Sequence, residues 1–262
     1  MRIKRERSKQ KMRTKVPMSV LLVVFLILLV LVGSQIMAMR AQNPPDKNKM
    51  AEGYPTVDYG ALLPADAEGR SKREKANRSY DRQRLVTKDP LGTEVLIMND
   101  YLSEIPALPV QVSSAVVLGN VSDAQAFLSN DKTGVYSEFT VQLEKVFKDD
   151  KDAPLNPGSA IKTDRLGGRV RHSANQTVWY HISGQSMPDP GKKYLFFLRR
   201  QPDSENYSII TAYELRSGRV HPLDGNQPSS SFAGAAYENA EEQTFLSKVQ
   251  EAVAMALAQG KP

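Results

Sequence analysis

The chain has 262 residues, no cysteine and a net charge of +6. The lack of cysteine excludes a disulfide-stapled scaffold, a thiolate zinc site and a lipid-modified cysteine anchor. The positive charge is concentrated, because Met1–Lys15 holds +7 and Gly69–Lys88 holds +6, while Asp89–Pro262 stands at −5. Nucleic-acid binding needs a basic surface on the folded part itself, and the main body of this chain is acidic by count.

Residues 1–15 carry eight bases against Glu6 alone, and Val20–Val32 follows as thirteen uninterrupted apolar residues. A cationic head before an apolar span keeps the head in the cytoplasm and sends the rest across the membrane. Residues 16–39 as a helix would run about 36 Å, enough for a hydrocarbon core of about 30 Å. Small secreted eukaryotic domains lean on disulfides, so an export signal ahead of a cysteine-free domain suggests a bacterial envelope protein. The expectation is a cytoplasmic head (1–15) and a transmembrane signal anchor (16–39) in a bacterial cell membrane. The competing expectation is a cleaved signal peptide and a secreted product, since the apolar core also fits an h-region.

Residues 40–90 read as a charged, Pro-containing flexible linker. Apolar residues recur there at no period, so little core is expected. Within it, Arg70–Arg84 reads equally as a solvated helix or a mobile tether. Its basic run is a solvated spacer or a contact for an anionic wall polymer or lipid head group.

Globular character begins near Leu91, with a short strand or turn at Val95–Met98 and a proline-pinned segment at Ile105–Pro109. Residues 91–236 read as a mainly β domain. Ala115–Val121 is Val- and Leu-rich and continues toward Phe127. After the turn cluster Asn130–Gly134, Val135, Ser137, Phe139, Val141 and Leu143 alternate with Tyr136, Glu138, Thr140, Gln142 and Glu144. Period two with one apolar face predicts a half-buried strand, paired with its predecessor as a hairpin. Phe139, Val141 and Leu143 are expected on one buried face, with Val117 and Phe197 nearby. Further strands are expected at Ser159–Asp164, Thr177–Ile182, Tyr194–Leu198, Tyr207–Tyr213 and Arg219–His221, with a tight turn at Gly167-Gly168. In residues 237–262, Asn239 followed by Glu242 resembles a capping box. Phe245, Leu246, Val249, Val253, Ala256 and Leu257 then recur at helical spacing, which predicts an amphipathic helix packed on the β domain.

Chemistry is sparse. His172, His181 and His221 have no metal-ligand spacing, and no phosphate loop or nucleophile elbow is present, so neither metal nor cofactor is expected. Ile182–Pro188 resembles the Gly-x-Ser-Met box of type I signal peptidases, which would make Ser186 a nucleophile of a membrane-anchored serine hydrolase. The next lysines, Lys192 and Lys193, lie in a Pro-Gly turn rather than a later strand, and the family's Gly-Asp-Asn box is missing. A serine without a positioned base stays an unreactive alcohol.

Four phrases in order resemble netrin-like modules, the kind found in tissue inhibitors of metalloproteinases. They are Ser114–Val121, Phe139–Lys148, Ser159–Gly168 and Gly191–Leu198, the last matching a Gly-Lys-x-Tyr-Leu strand. The chain is similar to uncharacterised exported bacterial proteins with this order. The resemblance implies an OB-like barrel of five to seven strands followed by the C-terminal helix. It carries no protease inhibition, which in the animal inhibitors depends on an N-terminal cysteine. The expected function is a non-enzymatic, membrane-anchored extracytoplasmic binding or structural module of the envelope, whose partner is a protein or glycan and not nucleic acid. The candidate binding residues are Arg169, Arg171 and His172, in an expected loop at Gly167–Gln176, with a second loop at Gln185–Lys193.

Overall fold

The computed structural model describes residues 53–98, 104–202, 204–225 and 232–259. The expected cytoplasmic head and membrane span at residues 1–39 lie outside them. No helix among the described residues is long and apolar enough to cross a membrane.

The fold is mainly β, with a C-terminal helix, and the strands among the described residues form two sheets. The larger one is built on β3 (Ala115–Leu128) and β4 (Val135–Lys148), joined by the turn 129–134. Asp131 fixes that turn by accepting hydrogen bonds from the Ser129 hydroxyl and from the Thr133 amide and hydroxyl. Next to β4 lies β5 (Ala160–Leu166), then β9 (Tyr207–Arg216), whose other neighbours are β10 (Arg219–Pro222) and β8 (Lys193–Arg200). Because β8 also pairs with β3, the pairing β3–β4–β5–β9–β8 returns to its first strand. All five pairings are antiparallel except β5 with β9, which is parallel at Thr163↔Tyr207 and Asp164↔Ser208.

The alternation along β4 holds on its inner face. Phe139, Val141 and Leu143 are buried, and their β3 partners Ala124, Val121 and Gly119 share that face. Val117 pairs with Phe196, whereas Phe197 pairs with Val116. The expected neighbour Phe197 is therefore replaced by Phe196. Phe197 joins the opposite face, in a cluster with Val116, Leu118, Leu195, Tyr213 and Val220.

That cluster is covered by α2 (Glu242–Ala258), through Phe245, Val249, Val253 and Ala256. The predicted helix is present, but its cap is Glu241, not Asn239. The Glu241 carboxylate accepts from the amides of Gln243 and Thr244, while Asn239 sits at φ +62° two residues earlier.

The second sheet has the order β1 (Thr56–Asp58), β6 (Gly168–Ser173), β7 (Gln176–Ile182), β2 (Glu94–Ile97). Its outer strands run parallel to their neighbours and β6–β7 is a hairpin. The Gly167-Gly168 step does not close a tight hairpin. With both residues at positive φ, it passes the chain from β5 into the other sheet, and the reversal comes at Ala174-Asn175. One face of this sheet, with Val170, Val178 and Tyr180, packs with Leu128 and Val135 and with Val86.

The linker expected over 40–90 gives way, from residue 53 onward, to packed chain. Tyr54, Ala76, Asn77, Tyr80 and Val86 are buried, and α1 (Ala67–Arg78) lies among them, opened by Asp66, which accepts from the Gly69 amide. Its surface is mostly charged, and it is tied to the strands largely by polar side chains, Arg73 and Asn77, rather than by an apolar stripe.

Candidate functional site

The strand β4 shows an apparently polar side to α1, made by Tyr136 and Glu138. Both are nevertheless buried, and they are paired with the helix. Arg73 reaches across to donate to Glu138 Oε2 at 3.1 Å and to the Tyr136 hydroxyl at 3.0 Å. Its guanidinium also covers the Phe127 ring at 3.4 Å, an arrangement that favours a cation. Tyr136 donates to Asn77 at 2.8 Å and stacks on Tyr80 with ring centroids 4.1 Å apart. Tyr80 in turn donates to Asp164 on β5 at 2.7 Å. Just beyond α1 the chain crosses the β3–β4 turn at Gly134, where any side chain would run into the Tyr80 carbonyl.

Two buried carboxylates, Glu138 and Asp164, lie under this helix with opposite electrostatics. Burial raises both. At Asp164 burial prevails, although Tyr80, Ser208 and Asn206 donate to it, and its carboxyl is pushed up to about 6. At Glu138 the Arg73 charge and hydrogen bonds, with Lys162 and Asn206, override burial and hold the carboxyl below its ordinary range. Asn206 bridges the two, at 3.0 Å from Glu138 and 3.4 Å from Asp164.

Beside this network, the strap at residues 61–65, α1 and the far end of β3 enclose an open cleft of about 1120 Å³. Its apolar wall includes Leu62, Leu63, Pro64, Phe127 and Leu128. Arg70, Arg73, Arg78 and Lys132 also line it, against the single carboxylate of Glu74. Leu62 is 93% exposed and Leu63 beside it 39%. Arg70 holds the strap by donating to the Pro64 carbonyl at 3.2 Å and the Ala65 carbonyl at 3.3 Å. β8 pairs with β3 only as far as Asn120, so Asp123–Leu128 carries a strand ladder on the β4 side alone among the described residues.

The residues singled out from the sequence are split. Arg169 and Arg171 lie on β6, in a strand where a loop was expected, and share the face turned away from Val170. Arg171 is ion-paired with Asp58 at 3.2 Å, with both side chains more than half exposed. Arg169 stands opposite Trp179 in the register. Trp179 stacks on His181 at 3.5 Å, and His181 meets Glu94 at 2.9 Å. His172 points the other way, stacked on Tyr59 at 5.0 Å and 3.4 Å from the Tyr180 hydroxyl. Burial lowers its affinity for a proton, against a backbone hydrogen bond at Lys88 and the charge of Asp89. The expected triad is thus two arginines on one side of a strand and a histidine on the other.

Ser186 follows β7 in the expected loop. Its amide donates to Asp224 at 3.1 Å and its carbonyl accepts from Arg165, whose own buried ion pair with Asp224 is 2.7 Å long. The lysines a hydrolase would need are held elsewhere, Lys192 by Asp189 and Glu214, and Lys193 by Glu144. Sequence reasoning missed Arg73, Asn77 and Tyr80. The available signal was aromatic: Tyr54, Tyr59 and Tyr80 stand in a stretch that a solvated spacer would not need to furnish with tyrosines. No protein-family model matches this chain, and no curated protein is similar to it.

Proposed function

We propose that this chain is a membrane-anchored extracytoplasmic binding module of the bacterial envelope, non-enzymatic, built on an OB-type barrel of the netrin-like kind. The anchor reading rests on the basic head and apolar span at residues 1–39. The barrel reading is supported by the closed circuit of five pairings with its single parallel contact between β5 and β9. Such barrels host many activities, so the function must come from the site rather than the fold. The observation that carries the reading is the open cleft between the strap, α1 and β3, where apolar and cationic side chains converge. Concave sites with an apolar wall and a few fixed polar groups are where ligands are taken up.

A photocrosslinking residue introduced at position 62, in native membranes, tests this reading. A discrete adduct is expected from position 62 and none from position 91, which is 97% exposed and does not line the cleft. Absence of any adduct at 62, or equal adducts at both positions, rejects the cleft as the binding site. Placement outside the cytoplasm is read separately, by fusing reporters after Pro262. A periplasmic phosphatase should be active there, and activity of a cytoplasm-only reporter would overturn the topology.

A further inference from the structure

We infer that the cleft takes an extended peptide segment in which acidic and apolar side chains alternate. The inference deepens the binding-module reading and rests on the cleft being its site. Charge complementarity gives the sign of the partner. Even with Arg73 set against Glu138, the lining keeps Arg70, Arg78 and Lys132 against the single carboxylate of Glu74, and the hydrogen bonds of Arg70 and Lys132 go to uncharged carbonyls. This cationic lining belongs to the stretch Gly69–Lys88 and to the β3–β4 turn, within a chain whose remainder past Asp89 is acidic. Positive charge gathered in a concavity draws an anionic partner there.

The apolar wall excludes a purely charged ligand. Leu62 and Leu63 stand out from a strap clamped by Arg70, and Phe127 lies below with Arg73 against its ring. Leucines fixed in solvent gain by contact with apolar side chains of a partner, by about 25 cal/mol for each Å² covered. The form of the partner follows from the backbone. The cleft is bounded by the stretch of β3 that β8 leaves unpaired, with Gln125, Phe127 and Leu128 among its lining. Extended main chain offers hydrogen-bond groups to another extended main chain, with alternate side chains turned to alternate surfaces. A lipid tail would instead need an enclosed apolar tunnel, and this cleft is open and lined by four cationic side chains as well as apolar ones.

The test uses the full-length chain and fluorescence anisotropy of labelled nine-residue peptides. A peptide alternating Leu and Glu should bind at least about tenfold more tightly than one alternating Leu and Lys or one alternating Ser and Glu. Arg78→Glu and Leu62→Ser, both at exposed positions, should each weaken that binding about tenfold with the melting temperature unchanged. Leu91→Ser should leave it unaltered. The inference is overturned if the Leu/Glu peptide binds no better than either companion. It is equally overturned if the two cleft substitutions have no effect, or if phosphatidylglycerol vesicles bind in the peptide's place. Those results together with an adduct at position 62 would reject only the peptide class. Loss of the adduct would reject the site.

Discussion

Among the described residues two α-helices cover the strands, and they do so by opposite chemistry. α2 lays Phe245, Val249, Val253 and Ala256 on an apolar cluster that includes Phe197, Tyr213 and Val220, with Phe245 and Tyr213 ring centroids 4.8 Å apart. α1 meets the strands through Arg73 and Asn77, and through Tyr80 just past its end, set against Glu138, Tyr136 and Asp164. The first contact is non-directional and tolerant of small shifts, as dispersion and hydrophobic burial are. The second is directional: each buried donor must find its acceptor, and loss of one partner strands the other. The helix held by specific polar pairs is also the one beside the cleft. A positioned guanidinium and a fixed strap give that cleft its shape.

The contrast is sharpest where an apolar anchor is removed. Phe245→Ala should cost about 4 kcal/mol in a denaturant melt, from lost burial and the cavity left among Tyr213 and Tyr237. Arg73→Met should cost about 3 kcal/mol, because Glu138 stays buried without its main cation. The double variant Arg73→Met with Glu138→Leu should recover much of that loss. No recovery would mean that the pair is not what couples α1 to β4.

The third expectation concerns pH. The carboxyl of Asp164 titrates at about 6 in the folded chain, against an ordinary 3.8, chiefly because it is buried. Between those values the folded state keeps a proton that the unfolded chain has released. The stability this group contributes is therefore full below pH 3.8 and is lost as pH rises through about 6. Melting of the wild-type chain relative to Asp164→Asn, followed from pH 4 to 7.5, should show a relative loss of about 3 kcal/mol across that window. A flat difference would place the proton elsewhere. The smallest effect is expected at Arg171→Ala, under about 1 kcal/mol, since its pair with Asp58 is largely solvated.

What was legible in the sequence follows the same division. Phe139, Val141 and Leu143 announce an inner face because burial there is apolar and periodic. α2 is legible for the same reason at helical spacing, though its cap was misplaced by two residues. Polar burial leaves no such trace. Arg73 and Glu138 are 65 residues apart, and each alone looks like an ordinary solvated charge. The side of β4 with Tyr136 and Glu138 therefore read as solvent-facing, and 53–90 read as linker. Parity was the second obstacle. Tyr194–Leu198 is apolar on both faces, so only the register against β3 decides that Phe196 rather than Phe197 faces Val117. Parity likewise parts His172 from Arg169 and Arg171 once that stretch is a strand instead of a loop. The cleft itself was illegible, because its lining comes from a supposed spacer and from the end of a distant hairpin.

The central claim is that the charged stretch around α1 is an integral part of the fold, fixed by its polar pairs. Native-state hydrogen exchange, followed peptide by peptide in the wild-type chain and in Arg73→Met, tests it directly. The α1 amides of the wild type should be protected to an extent comparable with those of α2, and Arg73→Met should lower protection in α1 well beyond that in α2. Exchange of the wild-type α1 amides at the rate of an unstructured peptide, or equal loss of protection in both helices on that substitution, would contradict the account.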